Sequence, residues 1–375
     1  MERRVQDYND NLVDFFNHAV NILIGGNGSG KSELLNELSL RYIRGGGEVI
    51  AIATSVHDKF TSRSERFHFL GGRQGKNIVA KTIKNSIRYM SNGHRNSAAH
   101  LLRALSYTGF QSEIRLIVVG LDISRVDEVL GGVDTPELYG AISFLKYFTD
   151  VLRSPESVMI DLAGFESNTM QQTTFRDLVD NESVLKRLKI IKRLDLELMR
   201  DGLRIPLLKA SSGELMVLSG LVHISTYIDE GVAILIDEPE NSLHPRWQQE
   251  YVRNILDLFQ YYRPLVVIAT HSPLIIPLGT EDAVVYGMRD RLPVEIDRSS
   301  SNNEEILADV FGVVTPENRF LSDEMVRVIN LLDEKKIGLE KALAIVEDYK
   351  FKSYDPRVIR FLEGVADLMN QTASV

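Results

Sequence analysis

Eight residues constrain this chain more than any others: Gly25-Gly26-Asn27-Gly28-Ser29-Gly30-Lys31-Ser32. The apolar run Val20-Asn21-Ile22-Leu23-Ile24 precedes them and predicts a buried strand. Ser32-Glu33-Leu34-Leu35-Asn36-Glu37-Leu38 follows and predicts a helix. Glycines at this spacing let backbone N–H groups turn inward around a phosphate, and the helix start adds positive potential. Lys31 is then placed to reach the β- and γ-phosphates, and the Ser32 hydroxyl to hold Mg²⁺.

A second acidic feature follows from the same logic. Val232-Ala233-Ile234-Leu235-Ile236 is an apolar run that ends in Asp237-Glu238. A strand buried on both faces delivers carboxylates at its C-terminal tip, where α/β sheets bind ligands. Asp237 is the candidate Mg²⁺ ligand, and Glu238 the candidate base that orients and deprotonates water. A third apolar run, Leu265-Val266-Val267-Ile268-Ala269, ends in Thr270-His271-Ser272-Pro273. His271 at that tip can donate a hydrogen bond to a terminal phosphate. Ala210-Ser211-Ser212-Gly213-Glu214 opens a helix with a serine cap, an anion-binding arrangement.

Strands expected at 48–53, 67–70, 114–119, 232–236, 265–269 and 283–287 alternate with helical patterns over much of the chain. That implies an α/β fold with a mostly parallel sheet covered by helices. Weaker signals between 121 and 210 predict a helix at 136–152, a strand near Val158-Met159-Ile160, a helix at 172–200 and an edge strand at Leu203–Leu208. Leu185, Leu188, Ile191, Leu194 and Leu198 are taken as the inward stripe of that helix. The expected organisation is an N-terminal lobe at 1–120, a mostly helical lid insertion at 121–210, a lobe at 211–290 and C-terminal helices at 291–375.

Composition excludes several classes. The chain has 375 residues with 44% hydrophobic and 25% charged, the profile of a globular protein with a real core. Cysteine is absent, which removes disulfides and thiolate metal sites. No apolar run is long enough to span a bilayer, so the expectation is a cytoplasmic protein without membrane association. The net charge of −9 argues against a protein coated in nucleic acid, but not against a local basic groove. Between Arg66 and Ser112 there is no acidic residue, while Arg66, Arg73, Lys76, Lys81, Lys84, Arg88, Arg95 and Arg103 all lie there. This stretch is the candidate surface for DNA, RNA or an acidic partner.

Taken in order, these motifs resemble the ABC-type ATPase superfamily. The phosphate loop, Ser211-Ser212-Gly213-Glu214, the acidic tip and His271 follow the order of Walker A, signature, Walker B and switch histidine. Ser211 matches the signature serine, whereas Ser212 and Glu214 depart from the usual L-S-G-G-Q. Asp237-Glu238-Pro239-Glu240-Asn241-Ser242-Leu243-His244-Pro245 resembles the D-E-P-E-x-x-L-H-P wording of OLD-like and RecF-like ATPases. The resemblance covers roughly 20–55 and 205–290 and implies an ABC-type ATPase head using ATP and Mg²⁺. It implies a homodimer or higher oligomer in which Ser211, Ser212 and adjacent N–H groups meet the phosphate held by a second copy's Lys31. It also implies a Mg²⁺-sensing glutamine, for which Gln74 is preferred to Gln111. Phe15, Phe16 and Tyr8 are candidates to stack on adenine, or core residues. No long heptad arm and no appended nuclease domain is evident, so the nearest type is a compact stand-alone ATPase. By analogy, such subunits control a nuclease or toxin effector from a neighbouring gene in bacterial anti-phage defence. A RecF- or SMC-like DNA-repair ATPase and a transporter ATPase are the alternatives.

Overall fold

The computed structural model describes residue 16 and residues 19–55, 58–71, 78–91, 96–130, 136–152, 157–163, 169–241, 243–277, 283–296, 319–351 and 356–372. The α/β expectation holds. Among the described residues eleven strands form two sheets, one of seven strands and one of four. The larger is ordered β11 (Leu292–Glu295), β10 (Ala283–Arg289), β1 (Val20–Ile24), β9 (Leu265–Thr270), β8 (Ala233–Asp237), β2 (Val49–Ala53) and β3 (Phe67–Gly71). The pairings β1–β10, β2–β3 and β2–β8 are parallel, and the edge pair β10–β11 is antiparallel. The chain divides into two compact units, Met1–Leu35 with Val267–Val375, and Asn36–Val266.

In the first unit, β1 (Val20–Ile24) pairs with β10 (Ala283–Arg289), which pairs with β11 (Leu292–Glu295). Every residue of β1 is buried, as an apolar strand covered on both faces must be. Phe16 is core, meeting Tyr286 edge-to-face with ring centroids 5.3 Å apart. The helix α1 (Lys31–Arg44) starts here and continues into the second unit. At the C-terminal end, α10 (Arg319–Asp333), α11 (Leu339–Phe351) and α12 (Pro356–Thr372) enclose their own core of Leu321, Met325, Val328, Val346, Leu362 and Met369.

In the second unit, β2 (Val49–Ala53) lies between β3 (Phe67–Gly71) and β8 (Ala233–Asp237). The helix α8 (Ser212–Tyr227) is buried nearly all round, packed by α2 (Ile78–Ser91) and α3 (Asn96–Tyr107). Its buried hydroxyls do not go unpaired. Ser225 and Thr226 donate to Leu221 and Val222 carbonyls one turn back, each at 2.7 Å. Helix α9 (Pro245–Phe259) begins with Pro245 at its first position and His244 as its cap, accepting from the Arg246 N–H at 3.3 Å.

The interval at 121–210 carries helices α4 (Ile123–Leu130), α5 (Pro136–Leu152), α6 (Thr169–Asp180) and α7 (Glu182–Arg187). It also carries β5 (Ser157–Asp161), β6 (Arg193–Arg200) and β7 (Leu203–Pro206). These join β4 (Glu113–Val119) in an antiparallel sheet ordered β5-β4-β6-β7. The helix expected over 172–200 therefore ends at Arg187, and 193–200 is a strand. Its sequence Arg-Leu-Asp-Leu-Glu-Leu-Met-Arg alternates, burying Leu194, Leu196 and Leu198 while Asp195 and Glu197 face away. Leu185 and Leu198 belong to different elements, so the stripe drawn through them is not one helix face. The edge strand expected at 203–208 is present as β7, with Pro206 on the edge as its missing N–H requires.

Candidate functional site

The phosphate loop connects β1 to α1 through a turn that only glycine accommodates at two positions. Gly28 has φ of 75° and Gly30 has φ of 97°. A Cβ on Gly30 would lie 3.2 Å from the Arg291 Cβ, and one on Gly25 would lie 3.1 Å from the Met288 Cβ. The Ser29 N–H donates to the Gly26 carbonyl at 3.3 Å, closing the turn that carries Asn27. The Leu34 N–H then finds the Gly30 carbonyl at 2.9 Å, so the helix is established from its first residues.

Lys31 is 4% exposed. Its ammonium donates to the Gly25 carbonyl at 2.8 Å and the Gly26 carbonyl at 3.1 Å. It also lies 3.3 Å and 3.4 Å from the two ring nitrogens of His271. The structure thus brings together two residues 240 positions apart, the lysine and the histidine that the sequence assigned to one phosphate. A polyphosphate set against this ammonium would also meet the backbone N–H groups at the helix start, which favour an anion. His271 itself follows β9 (Leu265–Thr270) and precedes the short turn Pro273–Ile275, capped by the Ser272 hydroxyl accepting from the Leu274 N–H at 3.3 Å.

In the second unit the acidic tip has an unusual backbone. Asp237 is the last residue of β8 and is 1% exposed. Glu238 adopts φ of 52°, the left-handed region that costs an L-residue roughly 1–2 kcal/mol. Two neighbours hold it there. The Thr54 backbone N–H donates to the Asp237 carbonyl at 3.2 Å, and the Thr54 hydroxyl donates to the Glu238 carbonyl. The Asn241 N–H also donates to the Glu238 carbonyl, at 3.2 Å. The Asn241 side-chain amide donates to the Glu238 carboxylate at 3.0 Å and lies 3.3 Å from the Thr54 hydroxyl. Strain of this kind at a carboxylate points to a role for the side chain.

At the signature, Ser211 is the residue before α8, and its side chain makes no capping hydrogen bond. Ser211 and Ser212 are exposed, while Gly213 is buried. Glu214 pairs with Arg200 at 3.2 Å, which ties this helix start to β6. Among the described residues no cluster of three His, Asp or Glu could hold a metal alone. Mg²⁺ bound with nucleotide needs none, since phosphates supply most of its ligands. A hydroxyl such as Ser32 and one carboxylate such as Asp237 have the right donor chemistry.

Other expectations fare differently. Gln74 lies outside the described residues, as do Phe15 and Tyr8. Gln111 accepts from the Gly202 N–H at 3.4 Å and supports the β6–β7 turn. Of the basic stretch, Lys84 is buried and donates to Glu182 at 2.8 Å and to the Leu194 carbonyl at 2.7 Å. Arg88 pairs with Asp180, and Arg66 donates to the Gly46 carbonyl at 2.6 Å. Those cations serve the fold. Thr54 and Asn241 escaped the sequence reading. A polar residue directly after the apolar run of β2 was the available signal for Thr54. Asn241 sat unremarked within the acidic motif. Nothing in the sequence marked Arg291 as the neighbour that excludes a side chain at Gly30.

Residues 136–276 match a known family described as "AAA domain, putative AbiEii toxin, Type IV TA system". The matched stretch contains Ser211, Asp237, Glu238 and His271, whereas the phosphate loop precedes it. Together with the fold, the match supports a P-loop ATPase of AAA/ABC-like type. Part of the chain is also similar to Protein ea59 of Escherichia phage lambda, 30% identical over 121 residues. That alignment spans 32% of this chain and 22% of the phage protein. Among the described residues no helix is long and apolar enough to cross a membrane.

Proposed function

We propose that this chain is an ATP-hydrolysing switch that pairs with a second copy of itself around nucleotide and thereby controls a partner effector, a nuclease or toxin. The observation that carries the reading is the buried Lys31 ammonium held between the glycine turn and His271. Lys31 binds the terminal phosphates, and the N–H groups from Gly26 to Ser32 cradle the chain of phosphates. His271 donates to the terminal phosphate. Ser32 and Asp237 would hold Mg²⁺, which when bound neutralises charge on the phosphates. Glu238, oriented by Asn241, takes the proton of the attacking water. The exposed Ser211 and Ser212 hydroxyls, with the Ser211 side chain uncommitted to its own helix cap, support a role at the phosphate of a second copy. Gln74 remains the proposed Mg²⁺-sensing residue.

The toxin–antitoxin words in the family description favour an effector-linked role, in anti-phage defence, over a RecF- or SMC-like repair ATPase or a transporter subunit. A cytoplasmic setting fits that role. Glu238→Gln tests the mechanism: it keeps the side-chain shape and removes the base. With excess Mg²⁺ and ATP the variant is expected to accumulate as a nucleotide-bound dimer by light scattering, with hydrolysis reduced at least a hundredfold, on the order of a lost general base. Undiminished hydrolysis would dismiss Glu238 as the base. A variant that stays monomeric in saturating ATP would dismiss the ATP-bridged dimer.

A further inference from the structure

Helices α3 and α9 each turn a polar stripe toward one open cleft. Arg103, Ser106 and Tyr107 recur at helical spacing on α3, and Asp257 and Gln260 lie at the end of α9. With Tyr261 they line a cavity of about 470 Å³. The chain after α9 sorts its two tyrosines in opposite directions. Tyr262 is tied down: its hydroxyl lies 2.9 Å from His100 Nε2, and its carbonyl accepts from the Gly231 N–H at 3.1 Å. Tyr261 is 82% exposed and has no hydrogen-bond or ring partner among the described residues. The turn that carries both, Gln260–Tyr262, ends on Arg263 at φ of 47°, where glycine or asparagine would be cheaper. An arginine and a tyrosine are kept exposed on a turn that favours smaller residues.

The cleft carries charge of both signs. Arg103 makes no ion pair among the described residues. Arg253, one turn before Asp257 on α9, is 3.8 Å from its carboxylate and exposed. The Tyr107 hydroxyl donates to Asp257 at 3.2 Å. Among the described residues Arg103 and Asp257 are the charged residues that line the cleft, with Arg253 beside Asp257 and Arg263 two residues beyond Tyr261. Of the basic stretch between Arg66 and Ser112, Arg66, Lys84 and Arg88 are engaged within the fold, whereas Arg103 faces this cleft.

We propose that the α3–α9 cleft binds single-stranded nucleic acid, with a base stacked on Tyr261 and the phosphate backbone against Arg103 and Arg253. An exposed aromatic face beside the Arg103 guanidinium, which has no ion pair among the described residues, is a combination that holds unpaired bases without reading their sequence. Gln260 and Ser106 offer hydrogen bonds to base edges or sugar. An acidic polypeptide would use the arginines but has no planar group to match Tyr261. This site needs neither nucleotide hydrolysis nor an effector.

Fluorescence anisotropy with labelled fifteen-nucleotide oligo-dT and oligo-U, in a salt series, tests it on the full chain. The parent protein is expected to bind both, with affinity falling as salt rises. Tyr261→Ala weakens binding roughly tenfold or more, and Tyr261→Phe retains it, as stacking predicts. Arg103→Ala lowers the slope of log affinity against log salt by about 0.7, one single-strand phosphate contact. Asp257→Asn tightens binding. Far-UV circular dichroism and the basal ATPase rate serve as fold controls, and if Tyr261→Ala misfolds, the Arg103 and Asp257 variants decide alone. No oligonucleotide binding by the parent, or a folded Tyr261→Ala variant that binds like the parent, overturns the assignment. So does a poly-glutamate peptide that binds with the Tyr261 dependence the oligonucleotides lack.

Discussion

The turn after β1 and the turn after β8 both pass through positive φ, and they solve the problem in opposite ways. After β1 the chain uses glycine, at 75° in Gly28 and 97° in Gly30. Nothing is lost there except a side chain for which Arg291 leaves no room. After β8 the chain keeps a glutamate at 52° and adds Thr54 and Asn241 to hold it. In the proposed mechanism the first turn therefore acts through its backbone, and the second through its carboxylate. Where glycine would be cheaper and is not used, the side chain is what the position is for.

The largest effect should come from making the second turn like the first. Glu238→Gly relieves left-handed strain and removes the proposed base. Hydrolysis is expected to fall roughly 10²- to 10⁴-fold, the range for a positioned general base. Thermal stability should rise, by about 1 kcal/mol or somewhat less, because glycine also gains entropy in the unfolded chain. Calorimetry and a steady-state phosphate assay read both numbers. A variant that is active, or that is less stable than the parent, would erase the contrast between the two turns.

The converse change is Gly30→Ala. Its φ of 97° lies beyond what alanine tolerates, and the new methyl meets Arg291 at 3.2 Å. The cost, roughly 1–3 kcal/mol of backbone strain, falls on the loop that presents Lys31 and the cradle of N–H groups. Nucleotide affinity is expected to drop about 10- to 100-fold by calorimetric titration, with the rest of the fold intact. Unchanged affinity would mean that the loop geometry is not what binds phosphate.

The same contrast explains what the sequence disclosed. Strands β1, β2 and β8 are unbroken apolar runs because parallel strands are covered on both faces, and such runs are visible in one dimension. The glycine loop was visible for a related reason: backbone-acting turns spell themselves in glycine. The clamps on Glu238 were harder to see, since Thr54 reaches it from 184 positions away. Strand β6 looks helical in one dimension because Leu194 and Leu198 satisfy a helical spacing as well as an alternating one; the intervening Leu196, also buried, is what marks the alternation. The basic stretch suggested a groove because the acids that absorb Lys84 and Arg88, Glu182 and Asp180, lie on α7 and α6 far along the chain. Tyr261 and Tyr262 are indistinguishable in sequence; only the packing of His100 separates them.

The smallest effect, and the sharpest, concerns Asn241. Its amide donates to the Glu238 carboxylate at 3.0 Å while lying 3.3 Å from the Thr54 hydroxyl. A hydrogen bond to a charged group contributes about 1.5–3 kcal/mol when well protected, and less at an exposed residue such as this. Asn241→Ala is therefore expected to lower kcat about tenfold or less while leaving KM unchanged, since in the proposed mechanism the nucleotide is held by Lys31 and the glycine loop instead. Asn241→Asp has nearly the same shape but no amide donor, and sets a second carboxylate beside the first. It should be at least as slow as the alanine variant. A purely structural asparagine would behave otherwise: Tm would fall and kcat would follow the folded fraction. If both variants melt lower but turn over like the parent once corrected for folded protein, Asn241 supports the turn and does not aim the glutamate.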